Sequence, residues 1–561
     1  MEDGNRDVKY ATSFREQFTA RGVVIGCIGT VVLTMSSMYV ALRLGALPWP
    51  IIFVALISMF FLKALGKTNI NEINVTHTIM SAGAMVAGGV AFTLPGIYML
   101  NPDATLKFLP VLVVVLGGTI LGLIFTALTR KYFVVTKELP YPMGQAAAET
   151  VLIGDEGGKK AIALFISLAA AGVFTFFRDA WALVTGKVLF AATLPATFNT
   201  PLTANYGSLF GIWLSPMLIA VGYIIGPIAI GVWFLGALIG DFGILVGGVE
   251  FGWWDGAVAA AIKSSLGIGL MVGTGFGILF KGIIPKAKEI FGPMFKKSAL
   301  SDGVVNLRWA PFAFVILAAI FTLVADMGVI ASIITILGVW LTTSMSAQVV
   351  GQSGINPMEI FGIIVLLAAK AASSALGDTE TFFVAAIVAV ACGLVGDVMN
   401  DFKAGYILKS DPKAQWIGEF IGGVIGAFVA VAIFMFFIQA YGANAFGPEG
   451  QFPAPQAAAV AAMVGGIPNI TAFIVGLVAG CVLYFTKFPV MTLGLGVYLP
   501  FYLSATAFIG GLLKFIVERA APDWNKKGSG LIIASGLLGG EAVVGVVIAI
   551  VQAVQGFTSL G

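Results

Sequence analysis

Apolar runs long enough to cross a bilayer recur about sixteen times along this chain, and that recurrence constrains the fold more than any other feature. A hydrocarbon core of roughly 30 Å takes about 20 residues of helix. Such runs fall at 22–43, 48–65, 75–100, 109–130, 160–181, 207–230, 232–250 and 256–281. A second set follows at 309–325, 328–346, 355–375, 382–400, 414–440, 470–486, 488–513 and 529–555. The division between 230 and 232 is weak, because GYIIGPIAIGVW also reads as one broken helix. Only 11% of the residues are charged and 59% are hydrophobic, against about a quarter charged in an average soluble domain. Backbone groups in lipid must be satisfied internally, and runs of this length satisfy them as helices, not as a barrel. The expected fold class is an all-α polytopic integral membrane protein with about sixteen transmembrane helices.

The rest of the composition excludes more than it suggests. A net charge of +3 is too small to indicate a nucleic-acid partner. Cys27, Cys392 and Cys481 lie in apolar runs without CxxC spacing, so neither a disulfide framework nor a thiol metal site is expected. His77 is the single histidine, which removes most zinc, haem and Ser-His-Asp chemistry. No cofactor and no metal are expected. GTGFG at 273–277 has no strand before it and no GK[ST] after it, so nucleotide binding is rejected. The polar start, MEDGNRDVKYATSFREQFTAR, does not read as a cleavable signal.

Four regions follow: a cytoplasmic N-terminal tail at 1–21, a first transmembrane half at 22–281, a basic cytoplasmic connecting loop at 282–308, and a second half at 309–561. Lys/Arg clusters in the tail, at Lys63/Lys67, at Arg130/Lys131/Lys137 and at Lys403/Lys409/Lys413 are cytoplasmic by the positive-inside rule. The expected location is multi-pass in the cytoplasmic (inner) membrane with the N-terminus cytoplasmic. Lys514, Arg519, Lys526 and Lys527 conflict with this scheme unless 455–468 also crosses, which leaves the side of the C-terminus open. An internal echo accompanies the division: YPMGQAAAETV at 141–151 recurs as FPAPQAAAVAA at 452–462, an offset of 311. GYIIGP and GLLGGE match loosely at offset 314. Duplicated halves with Gly/Pro-interrupted segments at corresponding places point to a transporter's binding site.

The first echo holds the first candidate residues. Pro140 and Pro142 stop an entering helix, and 144–154 is too short to span, so it reads as a re-entrant or half-helix. Gln145 and Glu149 are four apart and share a face, with Tyr141 before them and Gln456 as the partner of Gln145 in the other half. In GDVMNDFKAGYIL, Asp397 and Asp401 stack one turn apart near Lys403, an arrangement that lets one carboxyl hold a proton. QVVGQSGINPMEI offers Gln348, Gln352 and Asn356 as an amide stripe on an interrupted helix. Glu541 sits among glycines and apolar residues with no cation near in sequence. It must be neutral, paired in space or water-exposed. Tyr498 precedes Pro500 and is placed to stack on or bond a ligand. Arg43 and Lys370, at the ends of apolar runs, read as snorkelling cations, and His77 as a helix-start residue near the interface.

LPYPMGQAAAE (139–149), GDVMNDFKAGYIL (396–408), MTLGLGVYLPF with FIGGLL (491–513) and SGLLGGEAVVGV (535–546) jointly resemble the oligopeptide transporter (OPT) family, which includes the Yellow Stripe-like metal-chelate transporters. The resemblance implies about sixteen helices, an internal duplication, and proton-coupled uptake of small peptides, glutathione-like thiols or metal–chelator complexes. The expected partners are the lipid bilayer, such a substrate and protons, with a homodimer left open. A passive channel and an intramembrane aspartyl enzyme using Asp397 and Asp401 are the competing readings.

Overall fold

The computed structural model describes residues 10–45, 47, 51–152, 157–181, 185–187, 189, 193–194, 211–286, 288, 304–305, 308–353, 356–447, 450–526 and 528–558. In the first half, the helices are α1 (Ala20–Leu44), α2 (Ile51–Ala64), α3 (Ile70–Ala91), α4 (Phe108–Arg130), α5 (Pro142–Leu152), α6 (Gly157–Thr175), α7 (Pro216–Ile225), α8 (Pro227–Ala237) and α9 (Gly256–Ile278). The second half has α10 (Ala310–Leu323), α11 (Val329–Ser353), α12 (Met358–Ala372), α13 (Asp378–Ile407), α14 (Pro412–Tyr441), α15 (Pro455–Gly465), α16 (Ile470–Phe485), α17 (Val490–Tyr498), α18 (Phe501–Ala520) and α19 (Ser529–Thr558). Two-residue strands β1 (Thr193–Leu194) and β2 (Ile212–Trp213) pair antiparallel.

Ten helices among the described residues are long and apolar enough to cross a membrane, accompanied by shorter apolar helices. The chain is an all-α polytopic membrane protein. Every apolar run read from the sequence carries helix, but not every run is one helix. The break expected near 230–232 falls earlier, at Gly226 and Pro227, and helix then continues through a π-helical stretch to Glu250. Gly226 has φ +96°, open to glycine without a Cβ clash, and Pro227 has no N–H to continue the ladder. The run at 488–513 is likewise divided, at Leu499–Pro500.

α5 and α15 have 11 residues each, about 17 Å at 1.5 Å per residue, so neither spans alone. α5 begins at Pro142, two residues before the expected start. Each follows a residue in the left-handed region, Tyr141 at φ +44° and Ala454 at φ +35°. Each hooks the end of a 25-residue helix: Tyr141 N donates to Gly351 O of α11, and Ala454 N donates to Leu42 O of α1, both at 2.9 Å. These matched hooks pair Pro142 with Pro455, two residues out of register with the sequence match that pairs Gln145 with Gln456. The two glutamines differ accordingly. Gln145 is exposed, whereas Gln456 is buried and donates from Nε2 to Gly45 O.

α13 is the axis of the molecule, enclosed along its whole apolar stretch and packed by α3, α4, α5, α11, α12 and α14. Small residues permit this approach: a Cβ on Gly118 or Gly122 of α4 would meet the α13 backbone at Ile387 or Ala391. A second group, α7–α9 with α16–α18, packs along one flank.

Candidate functional site

The cytoplasm-expected end of α13 places Asp397, Asn400, Asp401 and Lys403 inside the bundle, all buried. Asp397 and Asp401 share one helix face. α3 brings His77 and Ser81 to that face, and α14 brings Gln415 and Glu419. Ser81 Oγ donates to Asp401 Oδ2 at 2.8 Å, Gln415 Nε2 donates to the Asp401 backbone carbonyl at 2.6 Å, and His77 Nε2 stands 3.9 Å from Asp401 Oδ1. One carboxylate oxygen from each of Asp397, Asp401 and Glu419 lies within 4.8 Å of the other two. Among the described residues, both oxygens of Asp397 and Glu419, Asp401 Oδ1 and both His77 nitrogens have no hydrogen-bond partner. Three ionised carboxylates cannot stay enclosed this way without compensation, since each unpaired buried charge costs several kcal/mol, on the order of that per ion. The geometry therefore calls for positive charge from shared protons or from a small oxygen-liking cation. Lys403 does not supply it: its Nζ lies 5.9 Å from the Tyr406 ring centroid and pairs with neither aspartate among the described residues.

Asp397 also opens onto a cavity of about 110 Å³. Its walls include Met85 of α3 and Phe92 just after it, Met143 of α5, Val350 of α11, Met358 of α12, and Asn356, Asp397 and Asn400. Asn356 is fixed by a bond from Ser346 Oγ (3.0 Å) and by donating to Cys392 O (2.9 Å). Asn400 Oδ1 accepts from Gly144 N at 3.0 Å, tying the first turn of α5 to α13. A Cβ at Gly144 would overlap the Asn400 carbonyl, which is why this turn needs glycine.

The other candidates separate. Tyr141 is buried and anchors α5 by donating from its hydroxyl to Ala347 O at 3.0 Å. The Glu149 and Gln352 side chains lie outside the described residues. Gln348 is buried, with neither amide atom bonded among the described residues. The expected amide stripe does not continue to Asn356, because α11 ends at Ser353 and Pro357 keeps the residue before it out of helix. Tyr498 is buried and its hydroxyl reaches Pro453 O at 3.5 Å, a lead-in to α15. Lys370 does not snorkel outward alone: it donates to Val464 O at the end of α15. His77 is not an interfacial helix start, since it is fully enclosed two turns into α3.

Glu541 is paired in space. Arg178 Nη2 lies 2.9 Å from Glu541 Oε1, Ser215 Oγ donates to it, and Met217 N at the start of α7 donates to Oε2 at 2.8 Å. Glu419 and Arg178 escaped the sequence reading, although each is an ionisable residue inside an apolar run, the same signal that marked Glu541. Ser81 and Asn400 carry no such mark, because a serine or asparagine in a helix is ordinary.

The sequence pattern of the family described as OPT oligopeptide transporter protein matches residues 17–552. A Haemophilus influenzae protein provisionally named an oligopeptide transporter is 26% identical, with 92% of each chain covered. A metal-nicotianamine transporter of Arabidopsis thaliana is 23% identical, covering 80% of this chain and 76% of its own. A protein of Oryza sativa subsp. japonica, provisionally named a metal-nicotianamine transporter, is 23% identical over 81% of this chain and 76% of its own.

Proposed function

Because the chain belongs to the OPT oligopeptide transporter family, we propose that it is a proton-coupled secondary active transporter and not an enzyme. Its substrates are small peptides, glutathione-like compounds or metal–chelator complexes, carried across the cytoplasmic membrane. The observation that carries this reading is the double position of Asp397, which lines the cavity and belongs to the Asp397–Asp401–Glu419 cluster. A substrate beside Asp397 and a proton on the cluster then act on one carboxylate.

The chain's own groups support a sequence of events. With protons aboard, the enclosed cluster is tolerated. When a proton leaves, like charges in one dry site repel, and the site must open to water or move. Motion of α13 passes through the Asn400–Gly144 bond to α5, whose Met143 forms cavity wall. The Lys/Arg distribution supports a cytoplasmic N-terminus.

The halves 22–281 and 309–561 are read as duplicates joined by the basic segment 282–308. The matched lengths of α1 and α11 and of α5 and α15, with their equivalent hooks, support this. Superposing α1–α5 on α11–α15 tests it, and the register expected is Tyr141 on Ala454.

Purified protein in proteoliposomes tests the transport reading. Uptake of labelled tri-alanine or of a metal–nicotianamine complex above its outside concentration, driven by an inward proton gradient, is expected. Equilibration without accumulation would instead give a passive facilitator, and cleavage of the peptide an enzyme.

A further inference from the structure

On the side of the cavity away from His77, two guanidiniums share one indole. α1 and α3 run side by side in the same direction: Thr30 Oγ1 donates to Ile79 O at 2.6 Å, and a Cβ on Gly83 would strike Thr34. Arg43, in the last turn of α1, is therefore level with the end of α3, where Phe92 lines the cavity. That is about 20 Å along the helix from His77. The Arg43 guanidinium carbon stands 4.7 Å from the Trp213 ring centroid, 5.4 Å from that of Tyr39 and 5.7 Å from that of Phe452. The Arg178 guanidinium carbon stands 5.2 Å from the same indole.

The two arginines differ in what they hold. Arg178 is fully enclosed, and its donors reach the Asp179 carboxylate, Leu214 O and Glu541. Arg43 is partly exposed and makes no hydrogen bond or ion pair among the described residues, and its Nε is buried without a partner. Ring faces attract a guanidinium but leave its in-plane N–H donors without acceptors. Charge decides what kind of acceptor is suited. Arg43 and Arg178 together balance Asp179 and Glu541, so a bare anion would disturb a neutral quartet. Asp179 keeps 26% of its side chain exposed. Arg43 thus stands partly exposed over Trp213, and Asp179 follows Arg178, whose guanidinium shares that indole and donates to both Asp179 oxygens. The Trp213 backbone is clamped by Thr506 on both its N–H and its carbonyl.

We propose that Arg43 and Asp179 read the head group of a zwitterionic substrate, its carboxylate at Arg43 and its ammonium at Asp179, with Trp213 as the platform between them. The ligand class is the α-amino acid end of a short peptide or of an amino-acid-derived chelator. This rests on the transport reading and names the chemistry that the Arg43 end of α1 selects.

Calorimetric titration of the purified protein with tri-alanine, its C-terminal amide and its N-acetyl form tests it. Wild type is expected to bind tri-alanine and to lose about ten-fold or more in affinity when either end is blocked, about 1.4 kcal/mol per ten-fold. Arg43→Gln, with an unchanged melting temperature, is expected to bind tri-alanine and its amide alike, and Arg43→Lys to recover part of the discrimination. Indifference of wild type to both blocked forms, no binding of any of the three, or discrimination retained in Arg43→Gln would overturn the proposal. So would competition by phosphatidylglycerol but not by tri-alanine, which would give Arg43 to a lipid head group. Proteoliposome uptake measured in parallel separates the two failures. Zwitterion binding without gradient-driven accumulation removes the transport reading alone, and accumulation untouched by amidation and by Arg43→Gln removes this proposal alone.

Discussion

His77 Nε2 lies 3.9 Å from Asp401 Oδ1, and neither side chain is exposed. The contact joins α3 to α13 at the level where Glu419 enters from α14. The only histidine of the chain is thus a neighbour of the acidic cluster. His77→Gln is expected to keep the helix contact but remove a titratable group, shifting the pH dependence of uptake while leaving the protein folded. A pH profile identical to that of wild type would separate His77 from the cluster's work.

Arg178, itself fully enclosed, holds the enclosed Glu541 and the partly exposed Asp179 together. Arg178→Met leaves two carboxylates without their cation, and breaking a buried pair from one side costs about 3–5 kcal/mol. A large fall in melting temperature and in yield is expected, with a smaller one for Glu541→Gln, which keeps an acceptor for Ser215 and Met217 N. Equal stability of Arg178→Met and wild type would mean that the Arg178–Glu541 pair does not hold the π-helical extension of α6 (Phe176–Ala180), α7 and α19 together.

Gly144→Ala places a methyl against the Asn400 carbonyl, and overpacking of this kind costs about 1–3 kcal/mol. Lower thermal stability and slower uptake are expected together, because the same contact ties α5 to α13. A variant that melts normally and transports normally would show that α5 is not held by α13.

Tyr141→Phe removes one hydrogen bond, to Ala347 O, worth about 1 kcal/mol net. A small loss of melting temperature with transport retained is expected, since the backbone bond to Gly351 remains. Loss of transport at full stability would move Tyr141 from an anchoring role to the substrate path.

The membrane class, the helix runs and the short helix after Pro140 and Pro142 were legible because length, hydropathy and proline act locally. Asp397 and Asp401 were legible because their four-residue spacing puts them on one face whatever surrounds them. The partners were not. Glu419 and His77 meet Asp401 only through the packing of α3, α13 and α14, and the cation for Glu541 comes from Arg178, far away in sequence. The match of Gln145 to Gln456 shows the converse limit, since the helix starts align two residues away from it, and only one glutamine is buried.

The central claim is that Asp397, Asp401 and Glu419 together couple proton movement to substrate movement. The most direct measurement compares two activities in proteoliposomes for wild type, Asp397→Asn, Asp401→Asn and Glu419→Gln: accumulation driven by a proton gradient, and exchange of substrate at equal concentrations on both sides. The account predicts that wild type does both, while the amide variants lose accumulation and Asp401→Asn and Glu419→Gln keep exchange. Accumulation at the wild-type level in all three amide variants would contradict it.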